Sequence, residues 1–526
     1  MKRNCKWLPA TSLAVIFATT QAGGAAEIRL QLKGGGFEIT GELYSYDGVN
    51  YVVNSPAFGK MTIDGRRFDC LGDNCPKRPV SFAPTAIGSV KGNIKIAGSA
   101  AIGDVLMPNL IEAFAKRASL DAARAVGNDP RDLTLQLKTR AGRQVASLQL
   151  SRYGSTASFN QLEEGTTEIA MSSRRITEAE VTKLAAAGLG NMLQPTHEHV
   201  LALEGLIVIV GPDSAAVSIS VDNVAKIFSG EITDWVQLGL PPGPINVYAP
   251  AEGSVSLNMF DSLVLKPRKL KITAKATRTD SDEQQSNLIA NDPLGIGFVG
   301  IADQHNTKAL NLQSACGLIT RPTRFAMKTE EYPLTRRLYL YSPGRPKAPL
   351  ARQLLTFSLS DDAQEIVAES DFIDQTPEAL TFKDQGARIA FALNAAEEDF
   401  DITAMRSLLT DISQSLRLTT TLRFESGSFR LDTKASRDID RLAELLKTPD
   451  YEGKQVLLIG FADSVGAYGS NLSLSQRRAD TVAAALKDAG YEAEVETKGY
   501  SELAPVACND TTKSRQFNRR VEVWVK

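Results

Sequence analysis

From Asn93 to about residue 375 the sequence switches repeatedly between short β-type runs and helix-type runs, and this alternation constrains the fold more than any other feature. NIKIAGSA ends a strand in a small-residue turn, and MPNLIEAFAKRA follows with helical spacing. LTLQLKTR, ASLQLSRYGS, EIAMSSR and LEGLIVIV read as further strands, while VDNVAKIFSG and QQSNLIAND read as helices. Such a pattern builds α/β layers with polar loops at the strand ends, and a stretch of about 280 residues suits two lobes better than one.

Other patterns flank it. MKRNCKWLPATSLAVIFATTQAGGAAE carries Lys2, Arg3 and Lys6, then an apolar run from Leu8 to Phe17 and small residues up to Ala22 or Ala26. That is the layout of a secretory signal over residues 1–26, shorter than a membrane anchor. Residues 27–80 alternate in the β manner between GGG and DG turns, which predicts a small antiparallel module. Cys70 and Cys75 enclose Leu-Gly-Asp-Asn, turn chemistry that suits a disulfide; a metal pair is the alternative, without a neighbouring His. Cys316 and Cys508 either pair across domains or stay as buried thiols.

The two-lobed domain is expected over 90–375, a linker over 376–414, and a last domain over 415–526. In that domain LRFESGSF and KQVLLIGFAD read as strands, and Ala435, Ile439, Leu442 and Leu446 fall at helical spacing. Ser473 and Gln476 form a capping-box pattern opening a helix that stops at Gly490. Val521, Val523 and Val525 alternate in a final strand. The whole is thus a multidomain α/β and α+β chain.

The last domain resembles the OmpA-like peptidoglycan-binding family. The resemblance lies in Gly460-Phe461-Ala462-Asp463, Gly466, then Asn471, Leu474, Ser475, Arg478 and Ala479, and the closing Asn518-Arg519-Arg520-Val521-Glu522. It implies a site for the diaminopimelate of a wall stem peptide, whose ammonium would meet Asp463 and whose carboxylate would meet Arg478. Gly466, Asn471 and Leu474 would shape the loop and Arg520 would add positive potential. Without that pattern, Asp463 and Arg478 would read as an internal salt bridge. The chain departs from the family at Phe461-Ala462, where His or Tyr followed by Thr is usual.

The central region resembles periplasmic solute-binding proteins of the phosphate-binding type, through residues 96–114, 154–174, 202–220, IFSGEITDW at 227–235 and NDPLGIGFVGI at 291–301. That implies a tetrahedral oxyanion held between two lobes by helix N-termini and hydroxyls. The matching positions are Ser99, Ser155, Thr156, Ser173, Arg174, Ser254 and Ser256. In the fourth loop, APAEGSVSLNMF, Pro250 stands at the family's Arg position and Val255 at its Gly position, and Ala100 replaces a frequent Thr in the first.

Lys and Arg number 59 against 61 Asp and Glu, a formal charge of -2 that argues against general nucleic-acid binding. His197 and His199 in THEHV alternate on a strand without a third ligand, which predicts an exposed edge rather than a metal site. EEYPLTRRLYLY at 330–341 reads as a strand with a charged lead-in. A hydrolase using Ser99 or Ser155 would need a base that the sequence does not place. The expectation is therefore a non-enzymatic periplasmic protein without a cofactor or metal, held on peptidoglycan near the outer membrane of a Gram-negative cell. Its lobes would bind phosphate or a related oxyanion for an ABC transporter, or, as degenerate lobes, an envelope protein.

Overall fold

The computed structural model describes residues 27–526 apart from 34, 35, 47–49, 66, 73, 76–87, 395–400, 425–427 and 429. The expected signal over residues 1–26 lies outside the described residues, as do residues 76–87. The described residues before 79 form one compact unit and those after it another.

The first unit is a five-stranded antiparallel sheet. Glu38–Tyr46 lies at its centre, and Glu27–Leu32 pairs between it and the edge strand Phe68–Leu71. The period of two turns Ile28 and Leu30 inward onto Ile39, Tyr51, Val53 and Ile63. Cys70 and Cys75 are disulfide-bonded.

In the second unit one sheet runs through both lobes. The first lobe holds the parallel strands Ile169–Ser172, Gly92–Gly98 and Gln144–Ser151, and the second holds Thr277–Thr279, Asn246–Pro250 and Gly295–Gly300. Two long strands join them. Glu198–Val210 pairs with Thr335–Tyr341 over its first half and with Gly295–Gly300 over its second. Each lobe has its own core, around Leu110, Phe114, Leu135 and Leu148 in the first and Phe228, Phe260 and Phe298 in the second. The THEHV stretch therefore does not lie at an exposed edge. Glu198–Val210 is central, so His199 is buried, and burial holds its imidazole down at about 4.

The last domain is a five-stranded sheet in the order Ala379–Thr381, Leu416–Arg423, Arg520–Val525, Val456–Phe461, Val495–Gly499. Helices Thr433–Leu446 and Tyr468–Asp488 cover one face, packing Ile439, Leu442 and Val482 on Val456, Leu458, Val521 and Val523. The other face is covered by residues expected to be a linker. Ala379–Thr381 joins the sheet edge, and helices Gly386–Asn394 and Ile402–Ile412 set Ala392, Met405, Leu408 and Ile412 against Leu457, Ile459, Phe461 and Trp524. The cause is visible in VLLIGF, a strand apolar on both faces, which needs cover on both. Cys316 and Cys508 are bonded, tying the second lobe to this domain.

Candidate functional site

The end of Val456–Phe461 is built around two close approaches. A Cβ on Gly460 would sit 2.0 Å from the Ser475 carbonyl oxygen, and one on Gly499 would sit 2.4 Å from the Gln476 nitrogen. Only glycine lets helix Tyr468–Asp488 lie this low over both strands. The helix begins at Tyr468, five residues before the expected capping box, and Ser473 instead donates back to the Gly469 carbonyl. Arg478 consequently lies in its third turn, fully buried.

Its guanidinium packs on the Phe424 ring, 5.3 Å from the centroid, and Nη1 reaches the Phe461 carbonyl at 3.5 Å. Nε and Nη2 have no hydrogen-bond partner. Burial lowers its pKa to about 10, Arg519 pushes the same way, and Asp463 opposes both. The structure does not join Asp463 to Arg478 in an internal pair. Asp463 Oδ2 accepts from Arg519 Nη1 at 2.8 Å, while Oδ1 accepts from the Val465 backbone at 3.1 Å. Arg519 Nε is likewise buried without a partner. Three unsatisfied donors on two guanidiniums thus sit beside one carboxylate, which is chemistry for an anion with a neighbouring cation.

The surrounding residues hold the loop. Asn471 Nδ2 donates to the Asp463 carbonyl at 3.1 Å and to Glu502 at 3.2 Å. Gly466 takes a φ of 108°, and Leu474 is half-buried on the helix. Arg520 lies elsewhere. Strand alternation sends it to the opposite face, 4.2 Å over the Phe461 ring, where it bonds Glu522 at 2.8 Å. Glu522 also holds Arg388, and Arg417 at 3.3 Å, so Arg520 belongs to a buried ion cluster. Arg519 takes the place expected of Arg520 at the site. The period of two in Asn-Arg-Arg-Val-Glu was the signal that only one of the two arginines could face it.

In the lobe pair the expected residues fall into two groups. Ser155 Oγ accepts from the Ser173 backbone at 3.2 Å, and Thr156 Oγ1 accepts from Arg174 Nη2 at 3.0 Å, which draws four of them together. Ser99 caps the first short helix, accepting from Ala101 at 3.3 Å. In the second lobe Ser254 caps Val255–Phe260 and accepts from Leu257 at 3.2 Å. Ser256 donates to Asp282 Oδ2 at 2.5 Å, and the Gly300 backbone donates to the same oxygen at 3.0 Å. Burial raises the Asp282 carboxyl above its ordinary range, and these two bonds only partly offset it. Nothing in the local sequence marked Asp282.

Hydroxyls that accept one internal bond keep a proton to donate, so Ser99, Ser155, Thr156 and Ser254 retain oxyanion chemistry. The cation is weaker. Arg174 is held by Glu180 at 2.7 and 2.8 Å. Arg278 donates to the Pro250 carbonyl at 3.0 Å and to Glu252 at 3.0 Å. Val255 packs against the core of the first lobe.

Comparison with known proteins agrees with both halves. A family model described as "PBP superfamily domain" matches residues 83–362, and one described as "OmpA family" matches 423–519. The phosphate-binding protein PstS of Borreliella burgdorferi is 28% identical over 227 residues, covering 42% of this chain and 77% of that one. The probable lipoprotein YiaD of Escherichia coli is 36% identical over 109 residues, covering 20% of this chain and 49% of its own length. Among solved structures, an ABC-type phosphate transport receptor from Vibrio cholerae aligns over 53% of this chain and 99% of its own. Its TM-score is 0.41 and its sequence identity 21%.

Proposed function

For a chain that belongs to the PBP superfamily and ends in an OmpA-family domain, we propose a non-enzymatic periplasmic binding protein retained on peptidoglycan. The observation that carries this reading is Arg478, a buried guanidinium with two unsatisfied donors beside the Asp463–Arg519 pair. Diaminopimelate carries a carboxylate and an ammonium on one carbon. Its carboxylate fits between Arg478 and Arg519, and its ammonium replaces Arg519 as the partner of Asp463. The lobes would take phosphate or a related oxyanion through Ser99, Ser155, Thr156, Ser173 and Ser254, with Arg174 shared with Glu180. Ser256 and Asp282 would accept the ligand's proton.

Co-sedimentation of the full chain with purified peptidoglycan tests the wall site. The parent should pellet, and Asp463→Ala and Arg478→Ala should stay in the supernatant; variants that pellet like the parent would sink the assignment. A second reading, lobes that bind an envelope protein instead of a solute, is favoured by Val255 filling against the first lobe and Pro250 at the guanidinium position.

A further inference from the structure

We propose that the C-terminal domain is a brace that holds the two lobes of the central domain at one fixed opening. Two-lobed binding proteins open and close by small backbone rotations in the strands that join the lobes, and the motion is free only where nothing else spans them. Here the joining strands are Glu198–Val210 and Thr335–Tyr341, and the C-terminal domain is bonded to protein on both sides of them.

Helix Thr433–Leu446 grips the first lobe. Thr433 Oγ1 donates to Glu198, Arg441 Nε donates to Asp361 at 2.9 Å, and Arg437 Nη1 donates to the Leu359 carbonyl at 3.3 Å. Strand Leu416–Arg423 grips the second. Arg423 donates to Glu330 at 2.8 Å and to the Thr329 carbonyl at 2.5 Å, and Arg417 bonds Glu331. The disulfide Cys316–Cys508 adds a covalent tie to the same lobe.

The two grips are one network. Arg337, on a joining strand, donates to Glu330 through Nε at 2.5 Å and Nη2 at 2.8 Å, and Nη2 also donates to Asp432 at 2.8 Å. Asp432 in turn caps helix Thr433–Leu446 through the Ala435 backbone at 2.9 Å. Side chains of Glu198, Glu330, Arg337, Arg417, Arg423 and Asp432 are all buried or nearly so. A lobe rotation would strip either the helix from the first lobe or the strand from the second, leaving buried charges without partners. At the loop carrying Ser254 and Ser256, Val255 adds an apolar contact from the second lobe to the core of the first. A ligand moves such an equilibrium only by its differential affinity for two states, and the brace leaves the lobes one. The inference is independent of what the cleft binds and of the wall site.

Spin labels attached by thioether at Ala185→Cys and Asn287→Cys, on exposed positions of opposite lobes, report the opening by pulsed electron–electron resonance. The intact full chain should give one narrow distance distribution, unmoved beyond its own width by millimolar inorganic phosphate. Adding Cys316→Ser, Cys508→Ser and Arg423→Ala should broaden it or split it in two. An intact chain whose distribution is already broad, or that shifts by more than its width with phosphate, overturns the proposal even where the brace variant fails to fold. So does a folded brace variant as narrow as its parent.

Discussion

Glu330→Gln tests the physical basis of the domain junction. Glu330 is buried, bonding Arg337 with both carboxylate oxygens and Arg423 with one. Burial alone would raise its pKa, but Arg337 and Arg423 outweigh that and hold it down at about 2, against an ordinary 4.5. The fall is worth about 3 kcal/mol at neutral pH. Breaking a buried ion pair on one side gives the same order, about 3–5 kcal/mol, because the remaining cation is left uncompensated. Gln keeps the shape and removes the charge. Arg337 retains Asp432, whereas Arg423 keeps no carboxylate hydrogen bond among the described residues and is left with the Thr329 carbonyl and the Phe517 ring. Because the folded carboxyl ionises more readily than the unfolded one, its contribution is complete above about pH 4.5 and drains away as pH falls toward 2. Urea unfolding followed by tryptophan fluorescence, with Trp524 in the C-terminal sheet and Trp235 in the second lobe, should show a deficit of about 3 kcal/mol at pH 7. At pH 3 that deficit should be less than half as large. A deficit below about 1 kcal/mol, or one unchanged between the two pH values, would refute the reasoning.

Gly460→Ala should lower stability by at least about 1–3 kcal/mol, read as a drop in the urea midpoint, since its Cβ meets the backbone of Ser475 rather than a side chain that can swing aside. Cys316→Ser with Cys508→Ser opens a tie between residues 192 apart and should cost about 2–4 kcal/mol in the same assay. Calorimetry of the full chain with inorganic phosphate should give heat at micromolar ligand, strengthened in Pro250→Arg with Val255→Gly. Silence of the parent across phosphate, sulfate and molybdate would remove the solute from the account.

Much of this architecture is legible in the residues because it rests on periodicity. Strand–helix alternation marked the lobes, and VLLIGF and the valines at 521, 523 and 525 marked the last sheet, whereas the strand expected at LRFESGSF lies upstream at Leu416–Arg423, with residues 425–427 and 429 outside the described residues. What periodicity cannot carry was missed. Residues 376–414 lack a regular pattern of their own, and their helices form because the far face of VLLIGF must be covered. Of Glu330-Glu331, the sequence shows only a charged lead-in to a strand. It is buried because Arg417 and Arg423, nearly ninety residues later, return to it. Arg519 and Arg520 are adjacent in sequence, and only the pleat decides which one meets Asp463. Asp282 was invisible for the same reason: its partners Ser256 and Gly300 come from other elements.

In the proposed wall site, Asp463, Arg478 and Arg519 together read a carboxylate and an ammonium carried on one carbon. Calorimetric titration of the full chain with two soluble stem peptides, one containing diaminopimelate and one containing lysine in its place, tests it most directly. Lysine keeps the ammonium and lacks the carboxylate, so the account predicts saturable binding of the first, at least tenfold weaker binding of the second, and loss of the difference in Arg478→Lys. Equal affinity for the two peptides, or discrimination that survives Arg478→Lys, would contradict it.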